Sequence, residues 1–421
     1  MSTVRGTARR TLPARLAHCV LVLGLLLAAA GCGGGPGHDR VTIMIPWSGN
    51  EFQAFYSVVK SFEDDTGIQV DVQVTRALTQ QLDAAVAAGA PPDLAMLPSV
   101  GAIYRYADQE AEKDRKLQPL RVPTDAYLEP FRGLAKVRGE VYAVPVKVDV
   151  KSLVWFDPTV TGRPSPAGLR KTGTWCLGLE SGPTSGWPGA DWIADILLSQ
   201  GNGDAYKQWL SGALEWNSPP LKQAWTTWRN LVGTGVEGAA VRNFGEAAAG
   251  MATTPRTCSL AHGALSAMGF KKGQSHDYVP SSSTRRLEVS ADFVGMFTDD
   301  NPSAEAFIAY LAETKAQQSW VNQGAGSAFS ADSQVTRYDD TVQQRIAGML
   351  RPDSGYTLCF GAADTMTPDV SAAFYRAVLD YATAGTKDPT ALLDDLDEVQ
   401  QKLGKSPVPS DKLCATLTNS A

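Results

Sequence analysis

A chain of 421 residues, 43% hydrophobic and 19% charged, has the usage of a globular protein; it excludes bulk disorder and is too long for one ordinary core, so two domains are expected. Arg5, Arg9, Arg10 and Arg15 fall in the first 31 residues with no acidic residue among them, which leaves 34 basic against 44 acidic residues in the remainder, a net charge of −10. That balance excludes a nucleic-acid binder, which needs a basic stripe.

Behind those arginines lies an apolar run over residues 16–30, too short to span a membrane comfortably. It closes on Ala29, Ala30, Gly31 and Cys32, and a glycine-rich stretch follows over 33–37. The pattern resembles a bacterial lipoprotein signal. On that resemblance residues 1–31 are a removable signal peptide, Cys32 carries the lipid, and 32–40 form a flexible tether at the extracytoplasmic face of the cell membrane. The alternative is an ordinary secretory signal with an incidental cysteine. Past Cys32 the chain has Cys176, Cys258, Cys359 and Cys414. An even number in an oxidising compartment predicts two disulfides with three possible connectivities, of which we favour Cys176–Cys258 and Cys359–Cys414. Zinc is the rival use of four cysteines, but no C-x-x-C spacing is present.

Residues 41–46 read as a strand, followed by the loop 47–50. Phe52, Phe55, Tyr56, Val59 and Phe62 recur at helical spacing up to Gly67, a left-handed C-cap candidate. Residues 68–74 alternate apolar and polar, a half-exposed strand. A second helix over 78–88 and a strand over 92–97 complete a βαβαβ run, which predicts a parallel sheet covered by helices. Trp47, Ser48 and Ser99 fall just past the carboxyl ends of strands one and three, which face the crevice in such sheets. Residues 142–156 are extended, with two lysines in an apolar run, and read as a crossing between domains. Over 174–198 a strand enters a Gly/Ser/Pro loop that feeds a helix carrying Trp187, Asp191 and Trp192. Residues 201–233 are patterned as helix, and 287–297 as a second extended crossing that includes Phe293. Asn301 and Pro302 open a helix expected to run through Ala316. A Gly/Ser-rich loop with Ser327 follows at 320–329. Thr367-Pro368 and Asp388-Pro389 open two closing helices, the second with Leu392, Leu393, Leu396, Val399 and Leu403 as its buried stripe.

The lipoprotein-like leader, the βαβαβ start, two extended crossings and a helical end together resemble the family 1 solute-binding proteins of carbohydrate ABC transporters, the maltose-binding-protein-like group. Residues 146–156, 175–182, 186–192 and 364–368 are similar to its α-glucoside-binding branch. The resemblance implies an α/β, two-lobed periplasmic-binding-protein-like fold with hinge crossings. Residues 41–148 and 292–335 would form one lobe, 149–291 and 336–421 the other. It implies a small carbohydrate ligand, an α-glucoside or small oligosaccharide, captured by hinge closure and delivered to ABC permease subunits and their ATPase. It calls for no cofactor, no nucleic acid and a monomer.

Sugars present apolar CH faces and a ring of hydroxyls, so a sugar site needs aromatic surfaces and fixed polar groups. Trp47, Trp187 and Trp192 are the stacking candidates, with core packing the competing use, most of all for Trp192 in a helix interior. Asp191 is the hydroxyl acceptor of that wall; helix-start electrostatics is its other use. Lys147 and Asp149 share one face of an extended crossing by the period of two. They either reach the ligand or form a salt bridge at the hinge. Ser48, Ser99, Ser327 and Phe293 complete the candidate set. No G-x-S-x-G, H-E-x-x-H or G-x-x-x-x-G-K-[ST] is present, and His38, His262 and His276 are the only histidines past the leader. The reading is therefore a binder and not an enzyme. A lipid-anchored glycoside hydrolase built on two carboxylates, or a binder of a non-sugar solute, are the alternatives.

Overall fold

The computed structural model describes residues 39–107, 116–165, 169, 175–200, 203–271, 273–323, 328–384 and 387–417. The expected leader, Cys32 and Ser327 lie outside the described residues. The chain opens as β1 (Arg40–Ile45), α1 (Gly49–Thr66), β2 (Gln69–Val74), α2 (Leu78–Ala87), β3 (Leu94–Leu97) and α3 (Val100–Ala107). These strands pair in parallel in the order β3-β1-β2, as the alternation of periods predicts. Phe55, Val58, Val59 and Phe62 give α1 its buried stripe, and Gly67 ends it with a positive φ of 75° and an N–H bond to the Glu63 carbonyl.

Lys136–Val137 and Glu140–Val141 pair as a small antiparallel hairpin of their own; the strands of the two larger sheets are β4 (Ala143–Val150), β5 (Leu153–Phe156), β6 (Trp175–Cys176), β7 (Leu260–His262), β8 (Asp277–Pro280), β9 (Arg286–Met296), β10 (Thr357–Phe360) and β11 (Cys414–Thr416). Strand β9 organises the sheet. Its last residues pair antiparallel with β3, its first residues pair in parallel with β10, and β4 runs antiparallel along most of it. The result is a 7-stranded sheet in which β4 and β9 pass from one end to the other. Every residue of β4 is buried, its two charged residues included, and β9 is buried except at Arg286, Ser290 and Asp292, which are partly so. A second sheet has 4 strands in the order β8-β5-β7-β6.

Helices α4 (Trp187–Ser199), α5 (Gly203–Leu210) and α6 (Pro219–Val232) follow β6. The helical stretch expected over 201–233 is therefore two helices, with Trp209, Trp225 and Trp228 packed inward. After β9 come α7 (Pro302–Ala312) and α8 (Thr314–Val321). The Asn301 side chain caps α7 by accepting from the N–H groups of Ser303 and Ala304. The helix expected to reach Ala316 breaks at Glu313, whose extended backbone (ψ 137°) starts α8 instead. Then follow α9 (Thr341–Met349), α10 (Ala362–Thr365), α11 (Pro368–Thr383) and α12 (Thr390–Leu403). Past α12 the described residues continue into β11, which pairs antiparallel with β10, with Cys414 opposite Cys359. Cys359 and Cys414 are joined, as are Cys176 and Cys258, the sequential pairing. Among the described residues no helix is long and apolar enough to cross a membrane.

Gly186 sets how α4 meets α11. It has a φ of 106°, and a Cβ built there would lie 2.1 Å from the Tyr375 carbonyl oxygen. Both the backbone and the space demand glycine. Gly186→Ala is expected to cost roughly 2–3 kcal/mol in urea unfolding. An unshifted midpoint would show that this approach relaxes freely.

Candidate functional site

A cavity of about 340 Å³ opens where β1, β2 and β3 end. Trp47 follows β1, Arg76 follows β2 and Ser99 follows β3, so three carboxyl-end loops supply one wall. Trp187 and Asp191 of α4, with Phe244, Asp364 and Tyr375, supply the opposite wall. Strands β4 and β9 form the floor through Lys147, Asp149, Ser290 and Asp292. Their placement follows from register: Lys147 lies opposite Asp292 and Asp149 opposite Ser290, and the period of two turns each pair the same way.

Two buried lysines dominate the floor. Lys147 Nζ lies 2.8 Å from Glu51 Oε1, 3.0 Å from Asp149 Oδ2 and 3.6 Å from Asp292 Oδ2. Lys151 Nζ lies 3.0 Å from Asp191 Oδ1 and 2.7 Å from Asp364 Oδ2. Burial opposes both charges, but the surrounding carboxylates override it and hold both lysines above their ordinary range. Burial is also the leading cause on the acids. It pushes Asp292 up to about 6 against the pull of Lys147, and Asp191 up to about 7 against that of Lys151. Glu288, wholly buried behind Asp191, is pushed up by burial and then by the neighbouring Asp191 charge.

The walls differ in what they leave free. Trp47 is 3% exposed, its ring packed on Phe55 and Trp320, and its Nε1–H donates to Asp292 Oδ2 at 3.1 Å. Trp187 is only half-buried and meets Phe244 edge-on, centroids 5.2 Å apart. The Arg76 guanidinium lies over the Phe244 ring at 5.8 Å and donates to Ser48 Oγ. Asp191 Oδ2 is enclosed and accepts no hydrogen bond among the described residues.

Of the candidates read from sequence, Trp47, Ser99, Lys147, Asp149, Trp187 and Asp191 line one cavity. Ser99 accepts from the Ala102 N–H and caps α3. Ser48 is exposed beside Arg76, outside the lining. Trp192 and Phe293 do not line it: Trp192 is 4% exposed and stacked on His262, and Phe293 is fully buried against Phe360. Their positions inside α4 and β9 turn both into the core. Lys147 and Asp149 do form the ion pair offered as the other use, and they do so on the cavity floor.

Sequence reasoning missed Glu51, Arg76, Lys151, Phe244, Asp292 and Asp364. Lys151 was within reach, because Lys147, Asp149 and Lys151 share one face by the same period of two. Glu180, at the mouth of the loop before α4, accepts from the Gly182 N–H and from Asn243 Nδ2, and so ties that loop down. Among the described residues no group of His, Cys, Asp and Glu is arranged to hold a metal ion.

Residues 46–318 match the family of bacterial extracellular solute-binding proteins. The chain is 28% identical to the osmoprotective compounds-binding protein GgtB of Synechocystis sp., over 91% of this chain and 98% of that one. It is 27% identical to the alpha-glucosides-binding periplasmic protein AglE of Rhizobium meliloti, over 82% and 84%. The solved bacterial solute receptor AcbH superposes with a TM-score of 0.71 at 16% identity, over 87% of this chain and 99% of that one. The fold is thus the two-lobed one of periplasmic sugar-binding proteins.

The raised carboxyls give stability a sign with pH. Folding favours the protonated forms of Asp191 and Asp292, so their contribution is complete below the ordinary carboxyl range and is lost as pH rises through about 6 and about 7. The lysines, raised above their own range, act only at far higher pH. The ligand-free protein should therefore melt higher at about pH 5 than at about pH 8, and Asp292→Asn should flatten part of that slope. Calorimetric melting temperatures that are level or rising over the interval would contradict the arrangement.

Proposed function

Because the chain belongs to the bacterial extracellular solute-binding proteins, we propose that it is the sugar-capturing component of an ABC importer. Its ligand on this reading is an α-glucoside or small oligosaccharide. The observation that carries the proposal is the Trp187–Phe244 corner beside Asp191. A half-buried aromatic side chain lines the cavity next to the Lys151–Asp191–Asp364 ion cluster. A pyranose offers the matching pair, a CH face and adjacent hydroxyls. The alpha-glucosides-binding relative supports the same ligand class.

The lobes on this reading are 41–148 with 292–335, and 149–291 with 336–421, meeting along β4 and β9. The change of register between Asp292 and Phe293, where the lobe boundary on β9 is drawn, supports this division. Sugar bridging Arg76 and Ser99 on one wall and Trp187 and Asp191 on the other closes the hinge. The closed form then presents a surface to the permease subunits and their ATPase. After loss of 1–31, lipid on Cys32 and the tether that precedes β1 hold a monomer at the outer face of the membrane.

Binding without turnover separates this reading from its rivals. Residues 33–421, screened against neutral mono- and disaccharides, should gain about 2.7 kcal/mol of stability from the cognate sugar at a hundredfold over Kd, with no hydrolysis product. A panel that shifts nothing removes the carbohydrate assignment, and released monosaccharide reinstates the hydrolase. Trp187→Ala is expected to weaken sugar binding roughly tenfold or more and leave ligand-free melting nearly unchanged. Undiminished affinity in calorimetric titration would make Trp187 a packing residue.

A further inference from the structure

Arg76 spans two walls of the cavity. It follows β2 in the segment 41–148, and its guanidinium lies over the ring of Phe244, in the segment 149–291, with Cζ 5.8 Å from the ring centroid. That distance is inside the range over which a cation is drawn to an aromatic face. The same charge reaches Glu180, which is tied to the residue before Phe244. The Glu180 carboxyl is held below its ordinary range first by the Gly182 N–H, next by the Asn243 amide and also by Arg76.

Both halves of this contact are fixed in advance. Ser48 is the N-cap residue of α1, where a serine hydroxyl ordinarily accepts from an N–H of the first helical turn. Its side chain makes no such bond, and Oγ accepts from Arg76 Nη2 at 2.7 Å instead. The helix forgoes a cap and the guanidinium gains a tether. On the other wall, Phe244 opens a short helical stretch (Phe244–Ala252) and its N–H donates to the Glu180 carbonyl. Asn243 donates to Glu180 Oε2 and accepts from the Gly245 N–H, and Trp187 meets the Phe244 ring edge-on. Groups already held on both sides lose little freedom when they meet, so the contact keeps most of its attraction.

We propose that Arg76 and Phe244 form a latch across the cleft, whose contact biases the two lobes toward the closed arrangement and parts when they open. Every partner in the bridge belongs to the chain, so the bias needs no ligand, and it lowers the cost of closure that an arriving solute must meet. The inference rests on the lobe division given above and on no particular ligand.

The test is made on residues 33–421 with no sugar added. Spin labels go on Val74→Cys and Val241→Cys, two exposed positions close in sequence to Arg76 and Phe244. Pulsed dipolar spectroscopy should give a short and a long separation. Arg76→Met and Phe244→Leu, which keep apolar bulk, should each lower the ratio of short to long about two- to fivefold, the scale of one exposed cation–π contact. The double variant should do no more than either single one, because one interaction is lost in all three. Melting temperatures of the labelled proteins check folding. A distribution that either substitution leaves unmoved would overturn the latch, and so would effects that add in the double variant. Because no sugar enters the measurement, that failure leaves the sugar-binding reading standing, and a sugar panel that shifts nothing leaves the latch standing.

Discussion

Lys147 on β4 and Lys151 just past its end are both buried at the floor of the cavity. Desolvating a charge costs several kcal/mol, and only close, hydrogen-bonded carboxylates offset it. Here those carboxylates come from α1, β4, β9, α4 and α10 in the persons of Glu51, Asp149, Asp292, Asp191 and Asp364. Two ammonium groups therefore bind five elements to one place. The elements bring their own cargo: Trp47 arrives with Asp292 through its indole N–H, and Trp187 arrives on the helix of Asp191. The cavity is a by-product of satisfying the lysines, and its negative surplus is what remains after they are satisfied.

Behind this floor lies a second polar layer with the composition of a hydrolytic triad and none of its logic. Ser152 donates to Asp195 Oδ1 at 2.5 Å, and His262 Nε2 meets Asp195 Oδ2 at 2.8 Å. Aspartate is the shared centre, so histidine never contacts the serine it would have to deprotonate. Ser152 is fully buried and also accepts from the Glu288 N–H, and the His262 ring lies flat on Trp192. This layer holds α4 to β5, β7 and β9. Its chemistry is adhesion between a helix and two sheets.

Aromatic residues divide in the same way between adhesion and exposure. Trp209, Trp216 and Trp225 converge on Phe374 and knit α5, α6 and α11 together. Trp187 differs because its helix begins at Gly186, whose backbone lets α4 start flush against α11 and leaves the first side chain at the rim. Position on an element decides between the two fates, since the side chains are chemically alike.

Much was legible in the linear chain wherever the information is periodic or local. The 3.6 and 2.0 periods determined the opening βαβαβ run, Asn301 and Gly67 determined a helix start and a helix end, and the βα loops located Trp47 and Ser99 at the carboxyl ends of strands. The same period placed Lys147 and Asp149 on one face. What periodicity cannot carry is depth and partner. Trp192 and Phe293 have the residue type of a ligand contact but face inward. Break points such as Glu313, and the closing strand Cys414–Thr416, depend on contacts with residues far away in sequence. Glu51, Asp292 and Asp364 are ordinary surface-type acids in the sequence. Only the register of β4 against β9 and the docking of α1, α4 and α10 bring them within 4 Å of a buried lysine, and that distance alone turns scattered acids into a site.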